Sequence, residues 1–230
     1  GTALMLGRGC RRNLVVGNTF GDISGNAIMV GDGNAARGNY KVKPAWEDDP
    51  DLIPKRNEVA HNVIARCGQQ FPGSVGIHLG LTDGTRVTRN VVHDLAYTGI
   101  SLGWMWNDMK TPARDNVIAS NHIFRVMQMM ADGGGIYTLG RQPGTVLRGN
   151  HIHDIPRERG RAESNGIFMD QGSSQMRIEG NVIHDVARSC IRLHLSHSIT
   201  LAHNQLHVQQ GVPPVRYNRA KPEMMTFIDN

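Results

Sequence analysis

A short phrase recurs along this chain: an apolar pair, one or two spacers, an asparagine, then apolar residues again. It reads LVVGNTF, EVAHNVI, RVTRNVV, VIASNHI, VLRGNHI, RIEGNVI and TLAHNQL, with its asparagines at Asn18, Asn62, Asn90, Asn121, Asn150, Asn181 and Asn204. A second phrase alternates with it: NAIMVG, VGIHLG, TGISLG, GGIYTLG, NGIFMDQG and SCIRLHL. Its first isoleucines are Ile28, Ile77, Ile100, Ile136, Ile167 and Ile191. Self-similarity at a fixed period marks a repeat architecture, in which each unit buries its apolar face by stacking on the next.

The spacing selects the repeat. Asn to the following Ile is 10 residues in three repeats, and Ile to the next Asn is 13 or 14 in four. A minimal coil of about 23 residues is too short for paired helices but fits three short strands joined by turns. Alternating β-branched residues favour strands, while Gly and Asn at the joints permit tight turns with positive φ. The expectation is an all-β, right-handed parallel β-helix of the pectate-lyase type, a solenoid of about seven to eight coils. The recurring asparagines are expected to stack as an internal amide ladder.

The repeat covers residues 1–208. Residues 209–230 are expected to leave it as an extension, because Pro213-Pro214 interrupts the pattern. TALML reads as another Ile-type strand without a preceding cap, so the chain is expected to be the central coils of something longer. At 230 residues it can hold one substantial core. No apolar run approaches the roughly 18 residues of a membrane span, and the first residues do not read as a signal peptide. Lys plus Arg exceed Asp plus Glu by 25 to 20 without any basic run, too diffuse to argue for nucleic acid. Cys10, Cys67 and Cys190 form no C-x-x-C pair and read as buried thiols.

Coils longer than the minimum lengthen at two joints only. Before the Ile-type strand, the connections to Ile77, Ile136 and Ile167 reach 15, 15 and 17 residues; the stretches after Ile28 and Ile100 reach 34 and 21. Both joints flank one sheet, and insertions on one face of a solenoid commonly frame a binding surface. Trp46, Trp104 and Trp106, all the tryptophans in the chain, fall in the second kind of insertion. A sheet floor between aromatic walls makes a groove for a glycan, whose apolar C–H faces stack on such rings. The two-residue period puts Met29, His78, Ser101, Tyr137, Phe168 and Arg192 in one outward row, with Asp170 and His194 in the next.

Among chemical candidates, the pairs His93-Asp94, His153-Asp154 and His184-Asp185 each follow a ladder asparagine by three residues. They repeat with the coil, and so read as turn and surface chemistry away from the insertions. Asp132 does not repeat, and precedes Gly133, Gly134 and Gly135. With Asp170 one coil later it offers a carboxyl pair of the kind that splits glycosidic bonds, provided the glycine run folds Asp132 back over the sheet. Glu163 is the substitute acid. His78, Trp104, Trp106, Tyr137, Arg192 and His194 are expected to bind substrate. No metal site or cofactor is expected, and no P-loop, G-x-S-x-G or H-E-x-x-H motif occurs.

The segments GISLGWMW, ADGGGIYTLGRQPGTVLRGNHIHDI and GIFMDQGSSQMRIEGNVIHDV resemble bacterial right-handed β-helix carbohydrate-active proteins, most closely glycoside hydrolase family 141. The match is densest from Ile100 to Leu193. The resemblance implies a catalytic acid pair at Asp132 and Asp170, activity on complex plant cell-wall glycans (α-L-fucosidase and xylanase activities occur in the family) and a secreted or periplasmic location. The expected partner is a polysaccharide or oligosaccharide, with no nucleic acid and no membrane span. The alternatives are a polysaccharide lyase or epimerase, with Arg192 as its basic residue, and a non-catalytic glycan-binding β-helix.

Overall fold

A computed structural model describes residues 1–31, 45–158 and 160–230. Each coil contributes one strand to each of three parallel sheets, of eight, eight and seven strands. The first, or groove, sheet comprises Leu4–Leu6, Ile28–Val30, Ile77–Leu79, Ile100–Leu102, Gly133–Thr138, Ser164–Met169, Ile191–His194 and Val215–Asn218. The second sheet runs from Leu14–Val16 to Met225–Ile228, and the third from Thr19–Ile23 to Gln205–Leu206.

Register follows the repeat. Ile28, Ile77, Ile100, Ile136, Ile167 and Ile191 align as Cα partners on successive strands and are fully buried. Val59, Val87, Ile118, Leu147 and Ile178 do the same in the second sheet, and Ile64, Val92, Ile123, Ile152 and Ile183 in the third. One aliphatic side chain from each wall thus meets its counterparts on the solenoid axis. Burial of each is worth about 1.5–3 kcal/mol, so truncating one central member such as Ile123 to alanine costs about 2–5 kcal/mol.

The asparagine ladder is continuous. Side-chain Nδ2 donates to Oδ1 of the next coil's asparagine from Asn18 through Asn62, Asn90, Asn121, Asn150, Asn181 and Asn204 to Asn230, at 2.7–3.0 Å. Each Oδ1 also accepts the backbone N–H of the preceding ladder residue. The residue before each asparagine takes positive φ, as at His61, Arg89, Ser120 and Gly149. The ladder thereby satisfies backbone groups that the turn between sheets leaves inside.

Residues 209–230 do not leave the repeat. Val215–Asn218 pairs with Ile191–His194 in the groove sheet, and Met225–Ile228 with His197–Ala202 in the second. The Pro-Pro step is compatible because the ladder there uses only an acceptor: Pro214 O accepts the N–H of Ile191 at 3.0 Å.

Candidate active site

The floor of the groove is the outward row anticipated above. Met29, His78, Ser101, Tyr137, Phe168 and Arg192 are successive Cα partners. One wall begins at Trp104, whose Nε1–H donates to Ser101 Oγ at 2.9 Å and whose ring lies 5.1 Å from His78 and 5.2 Å from Trp106. This segment runs along the solenoid across later coils. Gln171 Nε2 donates to the Trp106 carbonyl at 2.9 Å, and Ser174 Oγ donates to Asp108 at 2.6 Å. Gly103 makes the entry possible: it holds φ +97°, and a Cβ there would lie 1.9 Å from the Leu139 carbonyl oxygen.

This packing changes the part played by some expected binding residues. His78 is 5% exposed against Trp104, and Tyr137 is 6% exposed. Neither presents a free face to a sugar as the chain stands. Trp104 and Trp106 are half-buried around Tyr137, Leu139 and Phe168. Trp46 packs separately on Leu81, Met105 and Ala113. Much of the insertion that carries it, residues 32–44, lies outside the described residues.

Asp170 is the centre of a hydrogen-bonded trio. It is 8% exposed; Tyr137 donates its hydroxyl to Oδ2 at 2.6 Å, and Nδ1 of His194 lies 2.6 Å from Oδ1. A His nitrogen facing a carboxylate carries its hydrogen there, so Nδ1 of His194 donates to Asp170. Burial, then the charge of Asp170, pushes the Tyr137 hydroxyl well above its ordinary range. Tyr137 therefore serves as a donor and not as an anion.

Asp132 stands directly before the glycine run that opens the Gly133–Thr138 strand. It takes φ +64°, and the Tyr97 hydroxyl pins its carbonyl at 2.7 Å. The glycines that follow fill space no side chain could share. A Cβ on Gly133 would lie 2.4 Å from Thr98 Oγ1, and one on Gly135 2.6 Å from Ile152 Cγ2. Register is kept on both sides of Gly135, with Gly134 opposite Asn165 and Ile136 opposite Ile167, but Gly135 itself has no paired partner. The Asp132 carboxyl is raised above its ordinary value, first by burial and second by the charge of Asp170; Arg192 and His194 oppose the shift. Asp132 thus feels the charge of Asp170.

Glu163 is differently employed. It pairs with Arg216, leaving Oε2 buried without a hydrogen bond among the described residues. Two groups leave buried polar atoms unmet. Arg192 is 8% exposed, stacks its guanidinium 4.4 Å over Phe168, and leaves Nε and Nη1 without partners among the described residues. Asn165, fully buried opposite Gly134, leaves both amide atoms unpartnered. Buried polar atoms with no partner are uncommon and costly; a bound polar ligand would satisfy them. Arg192 was anticipated in the row but its unmet hydrogen bonds were not, while Asn165 and Tyr97 were missed. Asn165 had one usable signal, an asparagine off the ladder directly before a groove strand's Gly-Ile.

The His-Asp aspartates take turn positions: Asp94, Asp154 and Asp185 all have φ of 49–53°. Arg125 forks onto Asp94 at 2.6 and 2.9 Å and, with His93, holds its carboxyl down at about 2. Cys10, Cys67 and Cys190 are free thiols, and burial pushes Cys67 up to about 11 and Cys190 up to about 12. Two clefts of about 600 Å³ open at the turns between the first and second sheets and share no residue with the carboxylate cluster. Among the described residues no helix is long and apolar enough to cross a membrane.

Three solved structures are similar in fold. One described as a glycoside hydrolase superposes over 100% of this chain and 34% of its own, with a TM-score of 0.75 and 19% identity. The periplasmic alginate epimerase AlgG matches 98% of this chain and 47% of its own, at 0.60 and 14%. The GH136 lacto-N-biosidase from Eubacterium ramulus matches 99% and 43%, at 0.53 and 13%. The chain therefore spans between a third and a half of the length of these proteins, and identities this low carry the fold alone. No curated protein matches the sequence. Residues 8–219 match the family described as the right handed beta helix region, and the chain belongs to that family.

Proposed function

We propose that the chain carries the catalytic groove of a glycoside hydrolase acting on a complex polysaccharide of the plant cell-wall type. The observation that carries this reading is the pairing of Asp132 and Asp170 in unlike environments. Asp132 is raised by burial and by its neighbour's charge, whereas Asp170 accepts two hydrogen bonds from Tyr137 and His194. Two carboxyls in such unlike surroundings suit the roles of general acid and of nucleophile or base. Asp132 donates a proton to the glycosidic oxygen; Asp170 attacks the anomeric carbon or activates the water that does. Trp104 and Trp106 offer ring faces at the wall, and Asn165 and Arg192 offer unmet hydrogen bonds at the floor. The likeness to a glycoside hydrolase and to a lacto-N-biosidase supports the reading. So does the resemblance to family 141, which also supports a secreted or periplasmic location.

One observation favours a second reading. A buried guanidinium with two free nitrogens suits the carboxylate of a uronic acid. With His194 to take a proton, the same groove could run lyase or epimerase chemistry, and one structural neighbour is an alginate epimerase. Digestion of a panel of neutral and uronate-containing oligosaccharides separates the two. New reducing ends, lost in Asp132→Asn and Asp170→Asn, support hydrolysis. Unsaturated or C5-inverted products that survive Asp132→Asn but not Arg192→Met overturn it. Saturable binding without turnover by the parent overturns both in favour of a binding module.

A further inference from the structure

The third sheet carries a cluster of histidines unrelated to the groove. Two outward rows run across its strands. The first is Val91, His122, His151 and Val182; the second is His93, Phe124 and His153, continued by His184. The second row repeats with the coil, as a scaffold feature does. The first does not: histidine replaces valine on the two middle strands only. His122 Nε2 lies 2.7 Å from His153 Nε2, and His151 Nε2 lies 2.8 Å from His184 Nε2. Ligand atoms of His122, His151 and His153 all fall within 4.8 Å of one another, the only such group of three or more among the described residues.

Protonation in the cluster follows from the neighbouring aspartates. His153 Nδ1 lies 3.1 Å from Asp154, and His184 Nδ1 lies 2.7 Å from Asp185. Each carboxylate accepts from Nδ1, so the hydrogen in each Nε2···Nε2 contact belongs to His122 or His151 and moves to that ring's Nδ1 when its Nε2 takes a metal. A carboxylate behind a histidine is the usual outer support of a metal-bound imidazole.

We propose that His122, His151 and His153 bind one imidazole-preferring divalent transition-metal ion through Nε2, with His184 or water completing the coordination. Around a tetrahedral Zn²⁺ with Zn–N bonds of about 2.0–2.1 Å, neighbouring nitrogens sit roughly 3.3 Å apart. The His122–His153 pair needs to open by about half an ångström and His151, within 4.8 Å, to close in; all four are half-buried side chains at the surface. An ion held there clamps successive coils on the third sheet, independent of Asp132 and Asp170.

The test is calorimetric titration of the tag-free chain, stripped with chelator, with Zn²⁺ at pH 7. One ion per chain and a rise in Tm on adding Zn²⁺ are expected. His122→Val, His151→Val and His153→Phe install residues that adjoining coils already carry at those positions, so the fold is retained; each is expected to lower affinity by about tenfold or more. Asp154→Asn, which removes outer support, lowers it by about tenfold. His203→Ala, off the cluster, leaves it unchanged. Absence of saturable binding by the parent overturns the proposal, as does stoichiometric binding that persists in folded His122→Val and His153→Phe chains.

Discussion

Tyr137 lies in one strand of the groove sheet and Asp170 directly follows the end of the next, Ser164–Met169; the tyrosine hydroxyl donates to the carboxylate at 2.6 Å with both groups buried. The Asp170 N–H still donates to the Thr138 carbonyl at 3.0 Å, so strand pairing places both. The hydrogen bond is set by the register of two strands whose isoleucines stack in the core, so core packing and site geometry are one construction. Tyr137→Phe deletes the donor and keeps the ring. It is expected to destabilise the chain by about 1.5–3 kcal/mol in urea denaturation and to lower turnover with little change in KM.

Asp132 carries the opposite balance between stability and function. Its carboxyl is raised in the folded chain, so its favourable contribution is present below the unfolded value and lost as pH rises through the folded one. Asp132→Asn keeps the neutral shape at all pH. Its Tm is expected to equal or exceed the parent's at pH 7, with the difference vanishing in acid, while kcat falls by about 10²–10⁴-fold. A lower Tm at pH 7 contradicts this assignment.

Arg192 holds a buried charge without full hydrogen bonding. Arg192→Met keeps the stack on Phe168 and removes the charge. Stability is expected to change little, since the buried ion lacks full hydrogen bonding but gains from the charge of Asp132. Affinity for a uronate-bearing ligand, measured by titration, is expected to fall more than affinity for its neutral counterpart.

The ladder gives a graded structural prediction. Asn121 is buried in mid-solenoid, and its amide serves Asn90, Asn150 and the Val87 carbonyl; Asn18 is exposed at the ladder's first rung. Asn121→Ala strands several buried groups and is expected to cost about 3 kcal/mol or more. Asn18→Ala is expected to cost under about 1 kcal/mol. Equal effects in chemical denaturation contradict the ladder's role.

What repeats was legible in the sequence. Seven asparagines and six isoleucines at near-constant spacing define the coil, and the two-residue period then orients Tyr137, Phe168 and Arg192 outward. Asp132 and Asp170 were visible because they break the repeat. The rest depended on chain geometry that no period encodes. Tyr97 reaches Asp132 only because the turn after the third sheet brings it there. Asn165 stands off the ladder in the sequence, but its lack of partners is visible only in the fold. His78 was placed correctly in the row, but Trp104 covers it, and loop packing is set by tertiary contacts. The Pro-Pro step misled because an edge strand can spare a donor while its carbonyl still pairs.

The most direct test of the central claim needs no substrate. The carboxyl of Asp132 can be titrated by carbon-detected NMR in the parent and in Asp170→Asn. The account predicts a value above the ordinary aspartate range in the parent, and a lower one once Asp170 loses its charge. A parent value at or below the ordinary range, or one that Asp170→Asn leaves unmoved, contradicts the coupled acid pair.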